Sequence, residues 1–527
     1  MGETQMCGRA APAKRITDFL VHFFNALFIV LPLGAAVLVA SRHFFAIGNK
    51  LVGALGFLLL VAFIAAVLFF VRWLQTKKLD TRLVTVLLCL GVFAVAAVVR
   101  FLPIYLFRED IAPFSDFWRS WRMAHGDTKG HLDYYTLFPA YLNFSLFERL
   151  SIAVFGDRYI FIPCLNILCS SLTASLIFLL AQAVAKNRHI AVAAGLLFAL
   201  MPANIVYNAV GTPEFLTVLF NTAGLYCLVK FSAVKSGARF ALAAAAGILL
   251  GIGSSFKTFA VVILLAFAMV GFAAPLSAFK RSEGKVLGKR LLAALCAVLV
   301  VFVGYRVTSS AILKNTEKTY GVKLDPGASM PHFLLVGLNT EGEGQIYIGN
   351  LSRQYYKRYL ENGMDAAEAK TYALLLLRDD WKQHPDRIPA LFYKKFVHAW
   401  QDDTIPVWYF NTQIGLKPDS TLEKAVYRYT NGGLEATAQL FYIMLIAFSA
   451  IGGVFYFRRC KKSGAFCYDT ELLMLIVFGY FCVIMLSEAQ SRYKCLITPY
   501  LCILAACGLY RFFKVIQKLY ICKRHNG

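Results

Sequence analysis

Two signatures of soluble enzymes are missing from the sequence. It holds no GxxxxGK[ST] loop to cradle nucleotide phosphates and no HExxH helix to hold zinc, which argues against an ATP-driven pump and, more weakly, against a zinc protease. Charge is scarce too. Only 16% of the 527 residues are Asp, Glu, Lys or Arg, against 58% hydrophobic, and the mean hydropathy is +0.60. A soluble protein of this size needs more polar surface, so the class is an all-α polytopic membrane protein. Acidic residues are the scarcer sign, 30 against 54 basic ones. The net charge of +24 does not imply a nucleic-acid partner, because Lys and Arg sit in short patches between apolar runs, as anchors on one side of a bilayer do.

Disulfides and processing signals are also lacking. None of the 13 cysteines falls in the two long polar stretches, about 106 to 157 and 309 to 435, so no disulfide framework is expected there. Cys460 and Cys467 share a loop without the CxxC spacing of a zinc site. The first apolar run, from about Ile16 to Ala40, is too long for a signal-peptide core and is expected to stay as an anchor. No internal repeat or low-complexity segment is evident.

What is present is a series of apolar runs. About 20 such residues cross a bilayer as a helix, and twelve spans are expected near 17–40, 51–72, 83–105, 158–183, 189–208, 213–231, 240–256, 259–278, 291–308, 437–457, 471–488 and 493–512. With the N-terminus in the cytoplasm, the inside loops carry the basic clusters, among them Lys77, Lys78 and Arg82, then Lys280, Arg281 and Lys285, then Arg458 and Arg459. The positive-inside rule is satisfied loop by loop, with both termini cytoplasmic and both long loops outside. Four regions follow: 1–82, a tail and an added hairpin; 83–308, the core with the first external loop 106–157; 309–436, a lid; and 437–527, the last spans and tail. In the lid, AAEAKTYALLLLRDDW and DRIPALFYKKFVHAW have helical spacing, separated at Pro385 and Pro389. Its aromatics, Tyr355, Tyr356, Tyr359, Trp381, Phe392, Tyr393 and Trp400, either pack the lid or guide a lipid at the interface.

Charged groups inside or at the ends of membrane helices are costly, by about 2.5 to 3.5 kcal/mol at the helix centre, and so mark sites. Arg100, Lys257, Arg306 and Arg492 each sit near the external end of an expected span. They either converge on a phosphate or pyrophosphate or snorkel separately to the headgroups. Near Arg492, the string SEAQSRY adds Glu488, Gln490 and Tyr493 as substrate contacts. Asp116, in PFSDF, leads into WRSWRMA; it is a candidate general base, or else Ser115 or Asp116 caps the following helix. Glu109 and Asp110 are secondary acidic candidates, with a solvated pair to Arg108 as the alternative. Glu214 in GTPEF is a substrate contact or a structural one. His125 and His131, near Asp127 and Asp133, either bind a divalent cation, for which they lack a recognised ligand spacing, or are ordinary surface contacts.

From about residue 83 onward the chain resembles the GT-C class of membrane glycosyltransferases, in particular the bacterial family 39 group similar to protein mannosyltransferases and aminoarabinose transferases. The resemblance rests on RFLPIYLF…PFSDFWRSWRMAHGD, YYTLFPAYLNFSLFERLSIAVFGDR, ALMPANIVYNAVGTPEFLTVLF, GILLGIGSSFKTFAVVILLAF, VGLNTEGEGQIYIGN, IPALFYKKFVHAWQDD and SEAQSRYKCLITPYL in that order. It implies a GT-C-like fold in a bacterial plasma membrane. It also implies transfer of a sugar, with inversion, from a polyprenyl-phosphate carrier to an acceptor hydroxyl on the external face. Asp116 would be the base, with Arg100, Lys257, Arg306 and Arg492 around the donor phosphate. Glu109 and Asp110 stand in reversed order and earlier than the acidic pair of the protein mannosyltransferases, which favours a lipid or envelope glycan over protein as acceptor. No cofactor is firmly implied, with a divalent cation as the alternative. The alternative class is a non-catalytic transporter or flippase of lipid-linked glycans, which would carry polar residues along mid-span or paired broken helices.

Overall fold

The computed structural model of the chain describes residues 29–76, 81–129, 132–234, 236–277, 284–325, 327, 329–344, 351–361, 366–414, 429–463 and 468–525, and all regular structure among them is helical. Helices α1 (Leu31–Phe44), α2 (Lys50–Thr76) and α3 (Thr81–Leu106) lead to three short helices, α4 (Ser115–Ala124), α5 (Leu132–Thr136) and α6 (Pro139–Phe155). A core follows with α7 (Phe161–Ala185), α8 (Arg188–Ala199), α9 (Pro202–Tyr207), α10 (Glu214–Ala233), α11 (Ala238–Phe256), α12 (Ala260–Ser277) and α13 (Gly284–Tyr320). The second long loop contains α14 (Ser329–Leu338), α15 (Leu351–Glu361), α16 (Ala366–Gln383), α17 (Ile388–Trp400) and α18 (Ile405–Ile414), and the chain closes with α19 (Leu434–Ser463), α20 (Tyr468–Leu486) and α21 (Thr498–His525).

Ten of these helices are long and apolar enough to cross a membrane, and the pair 188–199 and 202–210, bent by 52°, makes an eleventh if counted as one span. Each corresponds to an expected span from 51–72 onward. Of the first expected span only α1 is described; residues 17–28, like His131 and Cys467, lie outside the described residues. The chain is thus a multi-pass helical membrane protein.

Packing inside the bundle follows from small residues. Gly247 and Gly251, one turn apart on α11, lie against α13 so closely that a Cβ on Gly247 would meet the Val301 carbonyl, and one on Gly251 would come within 2.8 Å of the Tyr305 carbonyl. Close backbone approach of this kind is what glycine supplies in lipid, where burial of apolar surface drives nothing.

The bend between α8 and α9 has an equally local cause. Pro202 has no N–H to give to the Phe198 carbonyl four residues earlier. Arg100, fully buried on α3, supplies the donor instead: its guanidinium gives hydrogen bonds to the Phe198 carbonyl at 2.8 Å and the Ala199 carbonyl at 2.7 Å.

The two long loops form one layer. Met123, Tyr135, Phe138 and Leu142 of the first share a core with Leu335, Tyr355 and Ala373 of the second, so both lie on the same face of the bundle. α6 is tied down by Asn143, which donates to the Ser255 carbonyl at 2.7 Å and accepts from Thr316 at 2.6 Å. The lid aromatics divide: Tyr355 and Trp400 are fully buried, whereas Tyr393 is 63% exposed.

Candidate active site

A cavity of about 300 Å³ opens between the two loops and the C-terminal ends of α11 and α20. Its lining takes Phe114, Ser115 and Asp116 from the start of α4, Phe138 and Tyr141 beside α6, and Lys257 just past α11. The lid contributes His332, Phe333, His398, Asp402, Trp408 and Tyr409, and the turn after α20 gives Glu488, Gln490, Arg492 and Tyr493.

Asp116 is carried by an amphipathic helix. Phe117, Ser120, Met123 and Ala124 of α4 are buried, which leaves Asp116 half-buried in the first turn, with Arg119 at 3.7 Å. Phe114 is extended at the N-cap, no side chain caps the helix, and Ser115 takes a positive φ of 55°. A non-glycine residue in that region costs about 1 to 3 kcal/mol and persists where the surroundings hold it. Ser120 also donates a 2.6 Å bond to Glu148 on α6, a carboxyl that burial pushes well above the ordinary glutamate range.

Two cations share one wall. Arg492 is 6% exposed and donates to the Tyr409 hydroxyl at 2.9 Å, and its guanidinium carbon lies 5.2 Å from the ring centres of Tyr409 and Tyr493. Among the described residues no carboxylate reaches ion-pairing distance of it. The Lys257 ammonium lies 4.2 Å from the centre of the same Tyr493 ring and 3.3 Å from Glu214 Oε1, while Glu214 Oε2 is buried without a partner among the described residues. The Tyr493 hydroxyl donates to Glu488 at 2.8 Å, and the Gln490 amide donates to the other oxygen of the same carboxylate. A buried cation without a counter-ion is costly in isolation, and a ligand anion is one way to offset it.

Of the residues expected at the site, the structure brings together Asp116, Lys257, Arg492, Glu488, Gln490 and Tyr493, with Glu214 directly behind Lys257. It does not bring Arg100 or Arg306. Arg100 is corrected to a structural role, because its guanidinium serves the carbonyls freed at Pro202. Arg306 is exposed on α13 and does not line the cavity. Glu109 and Asp110 are exposed, and Glu109 pairs with Arg108 at 3.0 Å. His125 meets Asp157 at 2.8 Å, and Asp127 pairs with Arg122. No group of three potential metal ligands occurs among the described residues. Sequence reasoning missed Tyr141, His332, His398, Asp402, Trp408 and Tyr409.

A helical membrane bundle with a cation-and-carboxylate cavity at one end is the class that fold and site define. Residues 135–304 match the family model described as dolichyl-phosphate-mannose-protein mannosyltransferase, in agreement with the resemblance read from the sequence. The match takes in Glu214 and Lys257 but neither Asp116 nor Arg492. Among solved structures, the archaeal oligosaccharyltransferase AglB from Archaeoglobus fulgidus, in complex with an inhibitory peptide and a dolichol-phosphate, is similar over 83% of this chain and 52% of its own, at 13% identity and a TM-score of 0.40. The apo form of the Archaeoglobus fulgidus oligosaccharyltransferase has the same coverage and score at 14% identity. This chain therefore spans about half the length of those proteins. No curated protein matches it.

Proposed function

We propose that this protein is an integral membrane glycosyltransferase that moves a sugar from a polyprenyl-phosphate carrier to an acceptor hydroxyl, with inversion at the anomeric carbon. The observation that carries the reading is Arg492, a buried guanidinium that meets phenols and, among the described residues, pairs with no carboxylate, in one cavity with Lys257 and Asp116. A sugar–phosphate bond breaks without an acid if cations hold the departing phosphate, so one base and a cationic cradle suffice, unlike glycosidases with their two carboxylates. In this scheme Lys257 and Arg492 stabilise the charge that grows on the phosphate. Asp116 takes the proton from the acceptor hydroxyl as its oxygen bonds to the anomeric carbon and the carbon–phosphate-oxygen bond breaks. Glu488 and Gln490 hold Tyr493 against both cations. The acceptor we propose is an envelope lipid or glycan at the external face of a bacterial plasma membrane, with both termini inside.

The test is transfer by purified full-length protein from radiolabelled polyprenyl-phosphate sugars, beside Asp116→Asn and Arg492→Ala. Loss of a general base costs about 10² to 10⁴ in rate, or about 2.7 to 5.4 kcal/mol in barrier. Asp116→Asn is expected to lose activity by that factor and keep donor binding, and Arg492→Ala to lose donor binding. An active Asp116→Asn protein moves the base to another carboxylate. Donor binding with no transfer by the wild type favours a transporter; the described residues contain one bent helix pair rather than the two that class uses.

A further inference from the structure

We propose that His332, flanked by Phe138 and Phe333, forms the subsite that reads the sugar ring of the donor. The inference rests on the lipid-phosphate reading above and extends it to recognition. His332 lines the cavity from the lid helix α14, is only 5% exposed, and neither of its ring nitrogens has a hydrogen-bond partner among the described residues. The large majority of buried polar side-chain atoms are hydrogen-bonded, and a Leu or Phe here would fill the space without the cost of two unmade bonds. The imidazole meets the ring of Phe138 at 5.1 Å and that of Phe333 at 5.6 Å, both edge to face. Phe138 and Phe333 also meet each other at 5.7 Å, so the three rings make one aromatic patch on the cavity wall with a single polar group in it, which suits a pyranose laid on the patch by its apolar C–H face with its rim of hydroxyls at the imidazole. Burial pushes the imidazole down to about 4, so at neutral pH it carries one donor nitrogen and one acceptor nitrogen. A hydroxyl offers the same pair.

The subsite is held in place rather than draped over the cavity. Gly337, at the end of α14, abuts the end of α20 so tightly that a Cβ would come within 2.5 Å of the Ser487 carbonyl. The buried Lys395 ammonium then joins the two ends, donating to the Gly337 carbonyl at 2.5 Å and the Ser487 carbonyl at 2.8 Å. The next residues after Ser487 are those that lead to Arg492. His332 and the phosphate wall are therefore positioned by one joint, which gives the lid a part in recognition as well as in covering the site.

The experiment measures binding of two probes to full-length protein in lipid nanodiscs: bare polyprenyl phosphate, and polyprenyl phosphate carrying mannose, glucose or galactose. His332→Leu is expected to weaken the preferred sugar-bearing probe about tenfold to a hundredfold, the range for leaving a substrate hydroxyl unpaired, and to leave the bare carrier within about twofold. His332→Asn, which keeps a donor and an acceptor, is expected to recover part of the loss. Equal weakening of both probes would assign His332 to lid packing and overturn the proposal, as would no change, or a change confined to the KM of the acceptor. Wild-type protein that binds the bare carrier but gains nothing from any of the sugars overturns it too. If the wild type binds neither probe, the lipid-phosphate reading itself falls.

Discussion

Lys257 and Glu214 are coupled by burial, and removing them singly or together has different consequences. The Glu214 side chain is 2% exposed and its ammonium partner 23%, so Lys257→Met strands a carboxylate in an apolar setting. Breaking a buried pair from one side costs about 3 kcal/mol or more. The double variant Lys257→Met/Glu214→Gln is expected to unfold at a higher temperature than Lys257→Met alone, measured by thermal unfolding in detergent. A double variant no more stable than the single one would show that the pair is solvated. At this scale the sequence was partly legible. Asp116, Lys257 and Arg492 stand out as charges in apolar surroundings, whereas His332 sits in SMPHFLLVGL like any core residue, and Tyr409 is one of 26 tyrosines. Arg100 read as a ligand for phosphate because its partners are backbone carbonyls, which become available only where α8 breaks.

Helix α4 is held at its two ends by different chemistry, and one of them titrates. His125, just past its C-terminus, contacts the Trp121 carbonyl at 2.9 Å and Asp157 at 2.8 Å. Burial lowers its affinity for a proton, but the carbonyl and Asp157 together outweigh that and leave the imidazole raised above the ordinary histidine range. A group whose folded value is raised contributes stability that is fully present below the unfolded value, about 6.5, and is lost as pH rises through the folded one. Amide hydrogen exchange in α4 is therefore expected to quicken, at equal intrinsic rate, as pH climbs above about 6.5, and His125→Asn should abolish that dependence. A wild-type α4 with flat protection across this window would rule the contact out as a clamp. The sequence foretold a helix over WRSWRMA after the turn-like entry PFSDF. It did not foretell Phe114 as N-cap, because Ser115 and Asp116 are the residue types that usually take that position and here Asp116 is turned to the cavity.

Across the whole molecule, long apolar runs made the spans readable, because nothing but length and hydropathy decides them. The arrangement of the lid over the first loop was not readable, since it depends on contacts such as Phe138 with Phe333 between segments far apart in the chain. The shared core of the two loops puts them on one side of the bundle, and the distribution of Lys and Arg predicts that this side is external. Glu109→Cys and Lys318→Cys, each in a background with all 13 native cysteines replaced by Ser, are expected to react with a membrane-impermeant maleimide on intact cells. Lys186→Cys should react only after permeabilisation. The reverse pattern would invert the topology and put the cavity in the cytoplasm.

The bond from Arg100 to the Phe198 carbonyl joins residues 98 positions apart, and a ribosome makes the earlier one first. When α3 enters the bilayer, its guanidinium has only the Ala96 carbonyl of its own helix to serve, at 3.3 Å, and it carries an insertion penalty of up to about 3 kcal/mol until α8 and α9 arrive. The third helix is thus a provisional tenant of the membrane, made permanent by a proline synthesised a hundred or so residues later, and the biogenesis of the bundle is at its most fragile in that interval.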